Sequence, residues 1–441
     1  MNDITKKYGL STAITMIIGI CIGSGIFFKS DNILVATGGS ILLGVLLFTV
    51  AAISIIFGCL TIGELAARTD KVGGLITYGE IFLSKKIGCA FGWFQTLIYF
   101  PTITSVVAWV VGIYTCILFN LGDSLSLQIL IGYCFLAICF LYNSLLPKFG
   151  AIIQNSTTFV KLIPLFILGF LGLAFGDPLT GLSNIQPHHF AGSTWLAALG
   201  PIAYSFDGWI VATTISHELK DSKRNMPKAL LIGPLIVLMI YLLYFIGISC
   251  YVGPETVIAL NDAHVSYAAS HLLGETFSKM IVIFVIISVM GTVNGLVTGY
   301  IRAPYSLAIR PGMFPFSKYL SKLNNHNMPI HSALFSFIVC SFWTLMHFIC
   351  TKYNWLFNSD ISEGAIVISY LFYIMLYFKV FMLYRKKEIK SFFKGVICPI
   401  LATVGSFIIL SGGLQNKLFI VYLIICLLLF RYSIYYYDKN K

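Results

Sequence analysis

A chain of 441 residues that is 58% hydrophobic and only 10% charged, with mean hydropathy +0.88, is a polytopic membrane protein; soluble domains carry about 25% charged residues. Its net charge of +12 would suit a nucleic-acid binder, but the basic residues follow the loops between apolar stretches, so no nucleic-acid partner is implied. The 11 cysteines form no CxxC pair and no metal-ligand spacing; most, such as Cys134, Cys139 and Cys426, lie in apolar stretches and read as small core residues, so neither a metal nor a cofactor is expected.

Apolar stretches of about twenty residues predict about twelve spans, near 10–29, 40–66, 90–119, 126–146, 155–176, 193–216, 228–252, 276–302, 331–350, 361–384, 394–413 and 417–437. Span 1 opens directly after Lys6 and Lys7, but it is too long for a signal peptide and lacks a small-residue cleavage site. At its centre stand Gly23, Ser24 and Gly25, which weaken the helix and turn backbone N–H and C=O groups toward a cavity. The freed N–H groups of a second half-helix suit a carboxylate. A helix-packing notch is the plain alternative.

Span 2 ends on Glu64 and Arg68, gate or ion-pair candidates beside a re-entrant loop expected around Gly73 and Gly74. Span 5 carries Lys161, whose insertion costs roughly 2.5–3.5 kcal/mol near a helix centre unless it snorkels to the interface. Span 6 repeats the peculiarity of span 1, with Gly200-Pro201 early and Ser205-Phe206-Asp207-Gly208 at its centre. Asp207 suits an N-cap for the second half of that helix, or a proton- or ammonium-binding role. Asn294 in span 8 is either an interhelical hydrogen-bond partner or a pocket residue. Spans 11 and 12 are bland, as befits a peripheral or oligomer-forming pair.

No sequence repeat is detectable, yet interrupted helices at spans 1 and 6 imply two five-helix units of opposite orientation, 10–176 and 193–385, with 394–437 outside them. Lys and Arg gather at 68–86, 220–228, 302–322 and 379–394, against Lys29, Lys279, Lys352 and Lys417 on the other side, which puts both termini in the cytoplasm.

These features resemble the amino acid–polyamine–organocation superfamily, and within it the L-type amino acid transporters and their bacterial serine/threonine-exchanger relatives. The resemblance covers most of spans 1 to 10. It rests on GICIGSGIF (19–27), GELAARTDKVGG (63–74) leading to FGW (91–93), VKLIPL (160–165), YSFDGW (204–209) with HELKDSKRNMPKAL (217–230), and GTVNGLVTGYIR (291–302). Two departures stand out: no proline precedes the paired glycines after Glu64, and Tyr204-Ser205-Phe206 replaces the Phe-Ala-Tyr common in relatives. The resemblance implies a LeuT-like 5+5 inverted repeat plus two extra helices, in the cell membrane. It implies a substrate carboxylate held around Gly23, Ser24 and Gly25, and an ammonium held by carbonyls of Cys21, Tyr204, Ser205 and Asp207, with Phe206 and Asn294 as further pocket candidates. Tyr204 resembles the aromatic that closes over substrate, though an aromatic there is otherwise ordinary packing. Lys161 would stand where sodium-coupled relatives hold a sodium ion, which implies sodium independence.

The expected activity is exchange of small neutral L-amino acids of the alanine, serine or threonine kind, with proton-coupled amino acid or polyamine uptake as the alternative. Gly23, Gly25, Ser205 and Gly208 are expected to line the cleft and leave room for a small side chain. An enzyme is disfavoured because no HExxH or GxSxG occurs and His188-His189 lack partners at ligand spacing. A channel would want a repeated pore loop or rings of charge. Some L-type relatives pair with a glycoprotein through a cysteine between spans 3 and 4. The loop from Asn120 to Ser126 has none, Cys116 falling inside span 3, so no disulfide-linked heavy chain is expected.

Overall fold

The computed structural model describes residues 9–69, 74–183, 192–210, 219–324, 327–356, 358–416 and 418–441. These residues form helices and no β-strand. Helix α1 (Leu10–Cys21) breaks before α2 (Gly25–Ala36), and α3 (Ile41–Ala66) returns across the fold. The short α4 (Gly74–Tyr78) runs on as a π-turn to Leu83; α5 (Lys85–Phe94) joins α6 (Phe100–Phe119) through a second π-turn, and α7 (Leu125–Leu145) follows. Next come α8 (Pro147–Val160), α9 (Leu162–Phe175), α10 (Pro178–Ser183), α11 (Leu199–Ser205) and the long α12 (Ser222–Val252). A connecting arm of α13 (Pro254–Leu260) and α14 (His264–Leu273) leads to α15 (Glu275–Ala308), and α16 (Ser317–Leu320) to α17 (Ile330–Lys352). The chain closes with α18 (Ile361–Arg385), α19 (Cys398–Gly413) and α20 (Phe419–Asn440).

Among the described residues nine helices are long and apolar enough to cross a membrane, and α1 with α2, bent by 54°, makes a tenth. Ten of the expected twelve spans are thereby accounted for. The remaining two are interrupted: α8 and α9 meet at Lys161 where span 5 is predicted, and α11 ends at Ser205 within span 6, whose residues 211–218 lie outside the described residues. Span 5 starts earlier than its apolar run because Pro147 sits at the first turn of α8, where a missing N–H is harmless. Gly73, Lys71 and His188-His189 also lie outside the described residues.

Helices of a membrane protein gain no hydrophobic advantage from meeting each other, so they meet where small residues let backbones approach. A Cβ on Gly112 of α6 would fall on the Gln128 carbonyl of α7, and one on Gly172 of α9 would lie 2.5 Å from the Gly247 carbonyl of α12. Gly405 of α19 meets Ser54 of α3 in the same way. Helix α19 is therefore seated against α3 and α18, whereas α20 packs chiefly on α5 and exposes Ile420, Ile424, Leu427 and Leu428 on its other face.

Gly112→Leu is expected to destroy the folded protein, because overpacking against a backbone carbonyl has no flexible side chain to absorb it. Gly299→Ala, whose Cβ would sit 3.5 Å from Phe100, should be tolerated. Gel filtration and thermal unfolding in detergent check both; a monodisperse Gly112→Leu protein with unchanged midpoint contradicts the packing described.

Candidate functional site

The α1 break is defined by backbone geometry. Ile22 is extended (φ −76°, ψ 109°), and its N–H closes the last helical bond, to Ile18. The carbonyls of Gly19, Ile20 and Cys21 lose their acceptor role within the helix. Two are served by side chains from elsewhere. Lys161, buried at the α8–α9 junction, donates to the Gly19 carbonyl at 2.6 Å. The Tyr241 hydroxyl on α12 lies 2.9 Å from the Cys21 carbonyl and 2.6 Å from the Ser205 carbonyl; its single proton serves one at a time. Beyond the break, the Phe28 N–H bonds the Ser24 carbonyl, so the preceding N–H groups of Gly25, Ile26 and Phe27 open α2 without helical acceptors.

Span 6 breaks by the same means. The N–H groups of Phe206 and Asp207 turn back to Ile202 and Tyr204, and Gly208 takes φ +96°, which costs an L-residue dearly. A Cβ there would also lie 2.6 Å from the Ile20 side chain. Asp207 accepts from the Tyr99 hydroxyl at 2.5 Å.

The two breaks touch. Ser24 Oγ lies 3.2 Å from Tyr204 Oη, and a Cβ on Gly25 would lie 2.7 Å from Ser205 Cα. Cys21, Ser24, Tyr204, Ser205 and Phe206 are all buried, with the Phe206 ring against Tyr241 and Phe48. In the direction a side chain would take, the glycines meet packed neighbours: a Cβ on Gly23 would lie 2.6 Å from Thr292 Oγ1, one on Gly25 would meet Ser205, and one on Gly208 would meet Ile20. They set the spacing of α1, α11 and α15, and room for a substrate side chain does not follow from them.

Asn294 stands apart from this meeting point. Its amide N donates to the Gly150 carbonyl and Gln154 Oε1, both at 3.0 Å, and its oxygen accepts from Tyr142 and Asn143, both at 2.9 Å. All four bonding capacities are spent between helices, so of the two readings open for Asn294 the geometry gives the interhelical one. Glu64 accepts from Arg68 and from Lys394 at 2.9 Å each, joining α3 to the start of the α19 span.

Sequence reasoning missed two groups. Lys29, assigned to the outer loops by its charge, is buried in α2 with Asp360 at 2.6 Å and Glu363 at 2.5 Å, and its ammonium lies 5.1 Å from the centre of the Tyr204 ring. Ser362 and Ser359 complete the two carboxylates. The signal was available, since Lys29 lies within an apolar helical run and Asp360 and Glu363 open span 10. Tyr241 gave none, being one aromatic among many.

Broken helices meeting at a buried centre, with orphan donors on one and acceptors on both, suit a zwitterion. The family model for amino acid permeases matches residues 8–433. The chain belongs to that family. It is similar to the serine/threonine exchanger SteT of Bacillus subtilis (31% identity over 421 residues, 94% of this chain and 92% of the relative). It is also similar to the human b(0,+)-type amino acid transporter 1 (25%, 94% and 84%) and the human cystine/glutamate transporter (27%, 71% and 63%). This permease is thus a multi-pass amino acid transporter of the membrane and not an enzyme.

Gly25→Val is expected to abolish transport, since the β-branched side chain would be driven into the Ser205 backbone. Wild-type uptake by that variant would contradict the contact between the breaks. Lys29→Met should lower the unfolding free energy by about 3–5 kcal/mol, because two buried carboxylates lose their cation. The triple variant with Asp360→Asn and Glu363→Gln should recover most of the thermal stability; a single variant as stable as wild type would show the triad to be hydrated.

Proposed function

We propose that the permease exchanges small neutral L-amino acids across the cell membrane without sodium, its termini cytoplasmic and its Lys29 side facing outward. The observation that carries this is the Lys161 ammonium on the Gly19 carbonyl at 2.6 Å. A fixed positive charge already joins span 5 to the broken helix, the junction a coupling ion would otherwise hold together. The charge distribution supports the orientation, and the name of the SteT relative supports a serine- or threonine-sized substrate. In this reading spans 1–5 and 6–10 are inverted halves. The carboxylate sits on the N–H groups around Gly23, Ser24 and Gly25. The ammonium competes with Tyr241 for the carbonyls of Cys21 and Ser205, near those of Tyr204 and Asp207.

An empty site closes over dipoles that no ligand satisfies, whereas bound zwitterion satisfies donors and acceptors together. Reorientation is therefore faster loaded than empty. Proteoliposomes filled with unlabelled serine should take up labelled serine several-fold faster than empty ones, a tenfold ratio corresponding to about 1.4 kcal/mol of barrier, and replacing sodium by choline should leave the rate unchanged. Collapse of uptake in choline contradicts the role given to Lys161. Equal rates in filled and empty vesicles, accelerated by an inward proton gradient, establish proton-coupled uptake instead.

A further inference from the structure

Beside the Lys29 triad lies a second polar cluster that substrate binding does not use. A cavity of about 240 Å³ is lined by Lys29 and Asp31 of α2, Trp109 of α6, Asp262 in the turn before α14, His347 of α17 and Asp360. Six buried polar atoms in or beside it have no hydrogen-bond partner: Asp31 Oδ1, Asp262 Oδ1, Tyr114 Oη, Tyr244 Oη, His264 Nε2 and His347 Nε2. They share one neighbourhood, with Tyr114 in electrostatic reach of Asp31, Asp262 and Tyr244, and His264 in reach of Asp31. Orphaned buried groups of this kind require an explanation in a ligand or in function.

The donors nearby do not serve them. Lys29 is committed to Asp360 and Glu363. His264 Nδ1 lies 2.5 Å from the Asn261 carbonyl, which requires a proton on Nδ1 and leaves Nε2 of the neutral ring an acceptor. The two carboxylate oxygens and the His264 lone pair thus have no donor bound to them, and the Tyr114 and Tyr244 hydroxyls and His347 Nε2 make no hydrogen bond that would supply one. Both carboxylates ionised and dry would be costly. The acidic and imidazole groups are not gathered into a cage that could hold a metal ion, among the described residues. One proton supplies the missing donor.

We propose that Asp31 and Asp262, with His264 behind them, form an outer proton-binding site that fills as α2 closes against the turn before α14. Burial and the neighbouring Asp31 push the Asp262 carboxyl well above the usual carboxylate range, in keeping with the geometry. The remaining charged or titratable groups facing the cluster are Lys29, His347, Asp360, Tyr114 and Tyr244; Glu255 of α13 is exposed. The closed state holds the proton and the open, hydrated state releases it, so acid outside favours the closed state and slows entry of substrate.

Infrared difference spectra of the full chain in nanodiscs, taken between pH 8 and pH 5, test this without reference to substrate. The C=O stretch of a protonated carboxylic acid should grow on acidification, lose a component in Asp31→Asn and in Asp262→Asn, and be unaltered in Asp177→Asn, an exposed control. Asp262 lies on a turn outside the spans, so D262N carries the test if D31N does not fold. In vesicles the exchange rate of wild type should fall several-fold as outer pH drops, and D262N should flatten that profile. A band identical in wild type and D262N overturns the proposal and leaves a water-filled cluster; a band seen only after sodium is withdrawn overturns it in favour of a metal cation.

Discussion

A helix broken inside a bilayer leaves carbonyls that lipid cannot serve, and this permease depends on how those carbonyls are satisfied. Each unpaired buried group costs roughly 1–3 kcal/mol, so a break between Cys21 and Gly25 persists only because partners come to it. Lys161 and Tyr241 are those partners, and they come from different parts of the chain. The lysine fastens α1 to the α8–α9 junction; the tyrosine of α12 lies between the two breaks and donates to one or the other. The positions of α1, α11, α12 and α9 are thereby set by backbone chemistry before any side chain meets a substrate.

The polar groups around Lys29 follow a different logic. The Lys29 triad is buried, with both carboxylates on one ammonium placed against Tyr204, so closure over the centre and closure of α2 on α18 involve the same ammonium. A buried ion pair contributes little net stability compared with apolar packing, yet it is costly to leave half made. Such an interaction is suited to holding one arrangement sharply: partly separated charges gain neither each other nor full hydration.

Much of this was legible in the sequence because its causes are local. Gly23-Ser24-Gly25 and Ser205 to Gly208 mark backbone breaks by residue type alone, and the break observed between Cys21 and Gly25 and the end of α11 at Ser205 agree with them. Lys161 announced itself as a charge in an apolar run. What was hidden depends on partners far along the chain. Lys29 stands out as a charge at the end of an apolar run, but its pairing shows only once Asp360 and Glu363, more than three hundred residues away, are brought to it. Tyr241 looks like packing until two carbonyls face it, and the close approach that Gly23, Gly25 and Gly208 allow shows only once Thr292, Ser205 and Ile20 are beside them.

The saturated amide of Asn294 has a mechanical consequence. With Thr298 bonded to Asn143 as well, α15 is tied to α7 and α8 by a chain of buried and half-buried hydrogen bonds. Thermal fluctuations cannot shear these three helices past one another without exposing several polar groups at once. The three helices are braced as one unit, and Lys161, at the end of α8, links that unit to the Gly19 carbonyl of α1.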